Sequence, residues 1–131
     1  MLFAKHFTPY EANLMLPQIK KMVSDILIKG RQLKSLVATG PQPAMEELSH
    51  KLIEEIEVLM AELETMGCFF KDWNFEVGLV DFPAIIENEE VLICWRSDEK
   101  DVRYYHSLDN GFAGRQPIPE HWLIEVDWKF F

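Results

Sequence analysis

Two apolar stripes with helical spacing, separated by a proline-rich break, decide most of what this 131-residue chain can become. In the first, Ala12, Leu16, Ile19, Val23, Ile26, Gly30, Leu33 and Val37 recur at alternating steps of four and three, which sets them along one face of a helix. In the second, Met45, Leu48, Leu52, Ile56, Leu59, Leu63 and Met66 repeat the pattern until Gly67 ends it. Between them, Thr39-Gly40-Pro41-Gln42-Pro43 supplies a glycine suited to a helix C-terminus and a proline suited to the next N-terminus. The first helix has a marked start in Phe7-Thr8-Pro9-Tyr10-Glu11-Ala12. Thr8 can cap, Pro9 takes the first helical position, Glu11 can return a hydrogen bond to the cap, and Phe7 can pack on Ala12. Two long helices joined by so short a loop fold back antiparallel, so residues 8–66 are expected to form a helical hairpin.

Charge on the two helices is sorted. The first carries Lys20, Lys21, Lys29, Arg31 and Lys34 against Glu11 and Asp25, and the second carries Glu46, Glu47, Glu54, Glu55, Glu57, Glu62 and Glu64 against Lys51. Opposite flanks favour the pairing, although an exposed ion pair contributes under ~1 kcal/mol. Leu14 and Ile28 lie away from the seam, so the first helix needs a second apolar partner, either the rest of this chain or another copy of the hairpin.

After Gly67 the pattern becomes strand-like. Glu90–Arg96 and Val102–His106 flank the polar turn Ser97–Asp101 and read as a β-hairpin. Leu79–Ile86 reads as another strand, with Pro83 pushing it toward a sheet edge or a break. Ser107 to Pro119 reads as a loop and Leu123 to Phe131 as a last strand. Helices first and strands afterwards give an α+β expectation: one domain over 1–131, with a long antiparallel helical hairpin packed on a small, mainly antiparallel sheet built from 67–131.

The 13 Lys and Arg stand against 22 Asp and Glu, a net charge of −9 that disfavours phosphate backbones and anionic lipid. Nucleic acid and membrane are therefore not expected as partners. No apolar run approaches the length of a membrane span, no secretory signal opens the chain, and Cys68 and Cys94 are too few for a disulfide scaffold. A cytoplasmic protein with reduced thiols is the expectation.

Several residues could carry chemistry. The loop Leu108–Pro117 holds Gly111 and Gly114, which can bring backbone N–H groups close to a ligand, and Arg115, whose planar fork suits carboxylate or phosphate. The same loop also reads as a structural turn whose glycines take positive φ and whose arginine pairs with a nearby acid. If the five-residue turn sets Arg96 opposite Val102, then Cys94 faces Tyr104 and Leu92 faces His106, placing Arg96, Cys94, Tyr104 and His106 on one sheet face. Cys94 and His106 there could be a nucleophile with its base or a pair of metal ligands, or simply a small buried hydrophobe and a hydrogen-bonding strand end. Asp81 sits inside an apolar strand, where a carboxylate needs a partner, and Arg96 or Arg115 could supply it. His6, His50 and His121 have no metal-ligand spacing, and the glutamates of the second helix lack the paired Glu-x-x-His motifs of a carboxylate-bridged bundle. No metal and no cofactor are expected on these grounds.

The separated segments Phe7-Thr8, Glu11-Ala12-Asn13, Leu16-Pro17, Gly78–Ala84, Leu92–Arg96, His106 and Gly111–Pro117, in this order and spacing, resemble the prokaryotic "domain of unknown function" family numbered 2203, over about residues 7 to 118. The resemblance implies a small bacterial single-domain protein and carries no activity. The chain departs from the usual pattern at Asp98-Glu99, where a Gly-Glu turn is common, and at Tyr105, often Trp.

The leading expectation is a non-enzymatic binding or protein-interaction module. It would form a homodimer through its hairpin and hold a protein partner or small anion near Asp81, Arg96, His106, Gly111, Gly114 and Arg115. The alternative is a small enzyme or metal- or anion-binding protein using Asp81, Cys94, Arg96, His106 and Arg115 as one site.

Overall fold

The Thr8 hydroxyl accepts the Glu11 backbone N–H at 3.1 Å while the Glu11 carboxylate accepts the Thr8 N–H at 3.0 Å, so the predicted cap forms and launches α1 (Pro9–Ala38). A computed structural model describes residues 1–40 and 42–124 of the chain. In it α2 (Pro43–Met66) closes on Gly67, whose φ of 98° is the left-handed conformation that glycine takes without a side-chain clash. The two helices form the expected hairpin, but only part of each stripe is covered. Ala12, Leu16, Ile19, Val23, Ile26 and Gly30 are buried, whereas Val37 is 72% exposed, and on α2 only Leu52, Ile56 and Leu63 are buried.

Charge pairing between the helices is narrower than the sorting of charge suggests. Lys29 meets Glu55 at 2.8 Å, the one interhelix ion pair among the described residues. Lys20, Arg31 and Lys34 instead donate to the backbone carbonyls of Lys100, Glu76 and Asn74, tying the basic flank of α1 to loops of the β portion.

Among the described residues five strands follow: β1 (Phe69–Phe70), β2 (Leu79–Ile86), β3 (Glu89–Arg96), β4 (Tyr104–Ser107) and β5 (Gln116–Pro117). They pair antiparallel in chain order, a meander. Glu87 and Asn88, both at positive φ, make the two-residue turn between β2 and β3. The β3–β4 register is the one the turn length implied, with Cys94 opposite Tyr104 and Leu92 opposite His106.

Three strand expectations need correction. β2 lies between β1 and β3 rather than at an edge, and it runs unbroken through Pro83. Proline fits because β1 has already ended at that level: the Pro83 carbonyl accepts the Phe7 N–H at 2.7 Å, and the ring nitrogen, on the same side, faces no ladder acceptor. β4 begins at Tyr104, since both backbone groups of Val102 are taken by the Asn13 side chain, which receives its N–H at 2.7 Å and donates to its carbonyl at 3.2 Å. The fifth strand comes from within the segment read as a loop; Leu123 and Ile124 are not in a strand, and the remainder of that expected strand lies outside the described residues.

One face of the sheet packs on the helices. Val80, Phe82, Ala84, Ile93 and Trp95 join Ile19, Val23, Ile26, Ile56 and Leu63 in a single apolar core. At Gly78 the chain passes so near α1 that an added Cβ would lie 2.3 Å from a Val23 methyl, which requires glycine there. The opposite face is roofed in two places. Near its Glu90 end the N-terminal residues are pinned down, the Leu2 and Phe3 N–H groups and His6 Nε2 all meeting the Glu90 carboxylate at 2.7–3.0 Å. Across the strands, the segment after β4 folds over as a 3₁₀ turn, η1 (Phe112–Gly114).

Candidate functional site

Alternation along the strands sends Asp81, Cys94 and His106 to the face away from α1, and the register sets them side by side: Asp81 is opposite Cys94, and His106 on β4 sits two pairs along, the next position on that face. Asp81 and His106, 5% and 4% exposed, are the two charged or polar side chains buried in the described core. Cys94 is equally enclosed. One donor atom from each of the three lies within 4.8 Å of the other two. His106 Nδ1 is 2.8 Å from the Ser107 carbonyl, which can only accept, so that nitrogen carries a proton. Nε2 then faces Asp81 Oδ1 at 3.4 Å.

Asp81 is therefore partnered by His106, and by neither of the arginines proposed for it. Both arginines are drawn to the turn between β3 and β4. Arg115 forms a two-pronged ion pair with Glu99, Nη1 to Oε1 at 3.0 Å and Nη2 to Oε2. Its guanidinium stacks on Tyr104 at 4.0 Å and on Phe112 at 4.4 Å. Arg96 pairs with Asp98 at 3.0 Å and lies 5.5 Å from the Phe112 ring. Glu99 is itself held, because Oε1 accepts the Arg96 backbone N–H at 2.7 Å. The Arg115 charge also acts on the Cys94 thiol, which links the turn electrostatically to the buried cluster.

A cavity of about 290 Å³ opens over the cluster, with Asp81, Cys94 and His106 on its floor and Lys71, Asn110 and Phe112 among its walls. Gly111 lines it, whereas Gly114, Arg96 and Arg115 do not. The glycines do not take positive φ: Gly111 sits at −92°, and Gly114 is needed because an added Cβ would come 2.6 Å from Asn110 Cβ. The Gly114 N–H is committed to the Gly111 carbonyl at 2.9 Å and is not offered to a ligand.

Electrostatics follow the burial. The Asp81 carboxylate beside it holds the His106 imidazole above its ordinary value, against the contrary effect of burial. Burial, aided by the Asp81 charge, pushes the Cys94 thiol up to about 12, even though Arg115 draws it down. A cysteine in this state is a poor nucleophile at neutral pH.

Glu99 and Lys71 were not recognisable as site residues from the chain alone, and Phe112 reads only as part of the glycine loop. Glu99 reads as one more charge in a polar turn, and the only hint of its role is an arginine sixteen residues on that needs an acid. Of the other histidines, His6 pairs with Glu90, while His50 and His121 are exposed. No described helix is long and apolar enough to cross a membrane. A family model described as "Uncharacterized conserved protein (DUF2203)" matches residues 5–118. No curated protein and no solved structure matches the chain.

Proposed function

The chain belongs to the DUF2203 family, a membership that brings no activity with it, and we propose that it is a single-domain, non-enzymatic binding module holding a small ligand in the pocket beneath Phe112–Gly114. One observation carries this reading: the two buried polar side chains of the described core, Asp81 and His106, are adjacent and both face the same cavity. Burying such a pair costs several kcal/mol of desolvation that apolar residues of similar volume avoid, so packing alone does not account for it. Binding is favoured over catalysis because burial raises the Cys94 thiol to about 12 and the nearby arginines are paired with Asp98 and Glu99. Lys71 on the wall, with Gly111 also lining the cavity and the raised His106 imidazole on the floor, favours a small anion at the mouth. Asp81, His106 and Gly111 would touch it, with Arg96, Gly114 and Arg115 holding the wall in place. NMR titration of the ¹⁵N-labelled protein with orthophosphate tests this. Saturable shifts are expected at His106, Asn110 and Gly111; no saturable shift at any of them counts against the reading.

Assembly is the second element of the proposal. Leu36, Val37, Met45 and Ile53 border an apolar groove of about 490 Å³ at the outer end of the hairpin, with Val37 72% and Ile53 39% exposed. A second copy placed antiparallel would cover these apolar side chains on both hairpins, and the net charge of −9 disfavours nucleic acid or an anionic membrane as the occupant. Light scattering should give two chains per particle at micromolar concentration, reduced to one by Val37→Glu. A single-chain mass for the unaltered protein would exclude it. The cytoplasm of a bacterium is the setting in which the free, buried Cys68 and Cys94 stay reduced.

A further inference from the structure

We propose that Asp81, Cys94 and His106 together bind one divalent ion of the zinc class, leaving a fourth coordination position open toward the pocket. The inference deepens the pocket reading by naming what occupies its floor. The donor set is one carboxylate oxygen, one sulfur and one imidazole nitrogen, delivered by β2, β3 and β4 and mutually within 4.8 Å. The 3.4 Å between His106 Nε2 and Asp81 Oδ1 is long for a charge-assisted hydrogen bond, which runs near ~2.8 Å. It matches the edge of a tetrahedron, since an ion about 2.0–2.1 Å from nitrogen and oxygen sets them roughly 3.3 Å apart.

The imidazole is also oriented for the task. The Ser107 carbonyl fixes the proton on Nδ1, so a neutral His106 aims its Nε2 lone pair at the other two donors. This outer hydrogen bond to a backbone carbonyl is the support that metal-bound histidines ordinarily have. Without an ion, the Asp81 carboxylate favours a proton on Nε2. On binding, the thiol proton of Cys94 and any proton on Nε2 leave for solvent, and the dication faces one carboxylate and one thiolate, a balanced charge. Arg115, paired with Glu99, still draws the Cys94 thiol toward its ionised form and can steady the thiolate from outside the coordination shell. Sulfur with imidazole selects a zinc-class ion over magnesium or calcium. Three protein donors and a roofed cavity leave room for water or an anion as the fourth ligand.

Cobalt(II) titration of the full-length, reduced protein after chelator treatment provides the test. One equivalent should produce a thiolate-to-cobalt charge-transfer band and the visible bands of tetrahedral cobalt, both abolished by added zinc. Cys94→Ser should remove the charge-transfer band, and Cys68→Ser should keep it, because Cys68 lies apart and donates to the Leu63 carbonyl. Asp81→Asn, which keeps the shape of the side chain, should weaken cobalt binding by about tenfold or more. The absence of the charge-transfer band in the unaltered protein, its persistence in Cys94→Ser, or undiminished affinity in Asp81→Asn would each overturn the proposal. Should Cys94→Ser fail to fold by circular dichroism, the Asp81→Asn result decides. Failure here with orthophosphate shifts still present would remove the metal and keep the pocket; failure of both measurements would remove both.

Discussion

The two faces of the central sheet are made by the same strands and alternate residue by residue, yet they are built on different principles. Toward the helices, Val80, Phe82, Ala84, Ile93 and Trp95 form an uninterrupted apolar surface. On the other face, Asp81, Cys94 and His106 occupy equally buried positions beside Pro83 and Leu92, under a roof made by a short turn and the N-terminal residues. A long helix supplies ample apolar area and needs no polar assistance, whereas a short roof is held by specific bonds, Arg115 to Glu99 at one end and Glu90 to the N-terminus at the other. The first face gains stability from area and the second from geometry. Substitutions should separate the two.

The largest effect belongs to the helix-facing side. Phe82 is fully buried and meets the Phe7 ring edge-on at 5.5 Å, so Phe82→Ala should lower unfolding free energy by about 3–5 kcal/mol in a urea titration. Next, His106→Leu leaves the Asp81 carboxylate buried without its partner and should cost about 3 kcal/mol, while the double variant Asp81→Leu with His106→Leu should return to within about 1 kcal/mol of the parent. Equal losses in single and double variants would show that the pair is needed for packing and would erase the contrast between the faces. Glu99→Gln, which breaks the ion pair with a largely buried Arg115, should cost about 2 kcal/mol and alter the Trp95 environment, since the Trp95 indole donates to the Glu99 carbonyl at 3.0 Å. Tryptophan emission reports it.

The smallest effect is a pH dependence with a definite sign. His106 titrates above its ordinary value of 6.5 in the folded chain, so its contribution is fully present below that value and is lost as pH rises through the raised one. Thermal melts of metal-free protein should show His106→Leu removing a decline in stability above pH 6.5. Cobalt affinity should move the opposite way and strengthen with rising pH, because the ion competes with that proton. A shared sign in both measurements would break the link between them.

Local signals were legible in the chain and relational ones were not. The Thr8–Glu11 cap and the Gly67 terminus depend on neighbouring residues alone, and both form as written. The register that brings Cys94 opposite Tyr104 follows from the length of one turn. Pro83 was misread because its suitability depends on where β1 stops, and no local pattern records that. Asp81 could be singled out as a carboxylate in an apolar strand, but its choice of partner required the alignment of three strands, with His106 nearer than either arginine. Arg115 was recognisable as a cation in need of an acid, whereas Glu99 lay hidden among the charges of Ser97–Asp101. The ligand set of the cluster has no sequence spacing to betray it, since each strand contributes one donor.

The paired bonds from Asn13 to Val102 bear on the order of events as the chain folds. They join residues 89 apart, so the hairpin can assemble from nearby contacts long before this amide finds both its partners. When it does, the side chain accepts one backbone group and donates to the other at a single level of the β3–β4 connection, an arrangement that a sheet shifted by one residue does not offer. Asn13 thus acts as a register check made late in folding, and Asn13→Ala should quicken unfolding in stopped-flow measurements far more than it slows refolding.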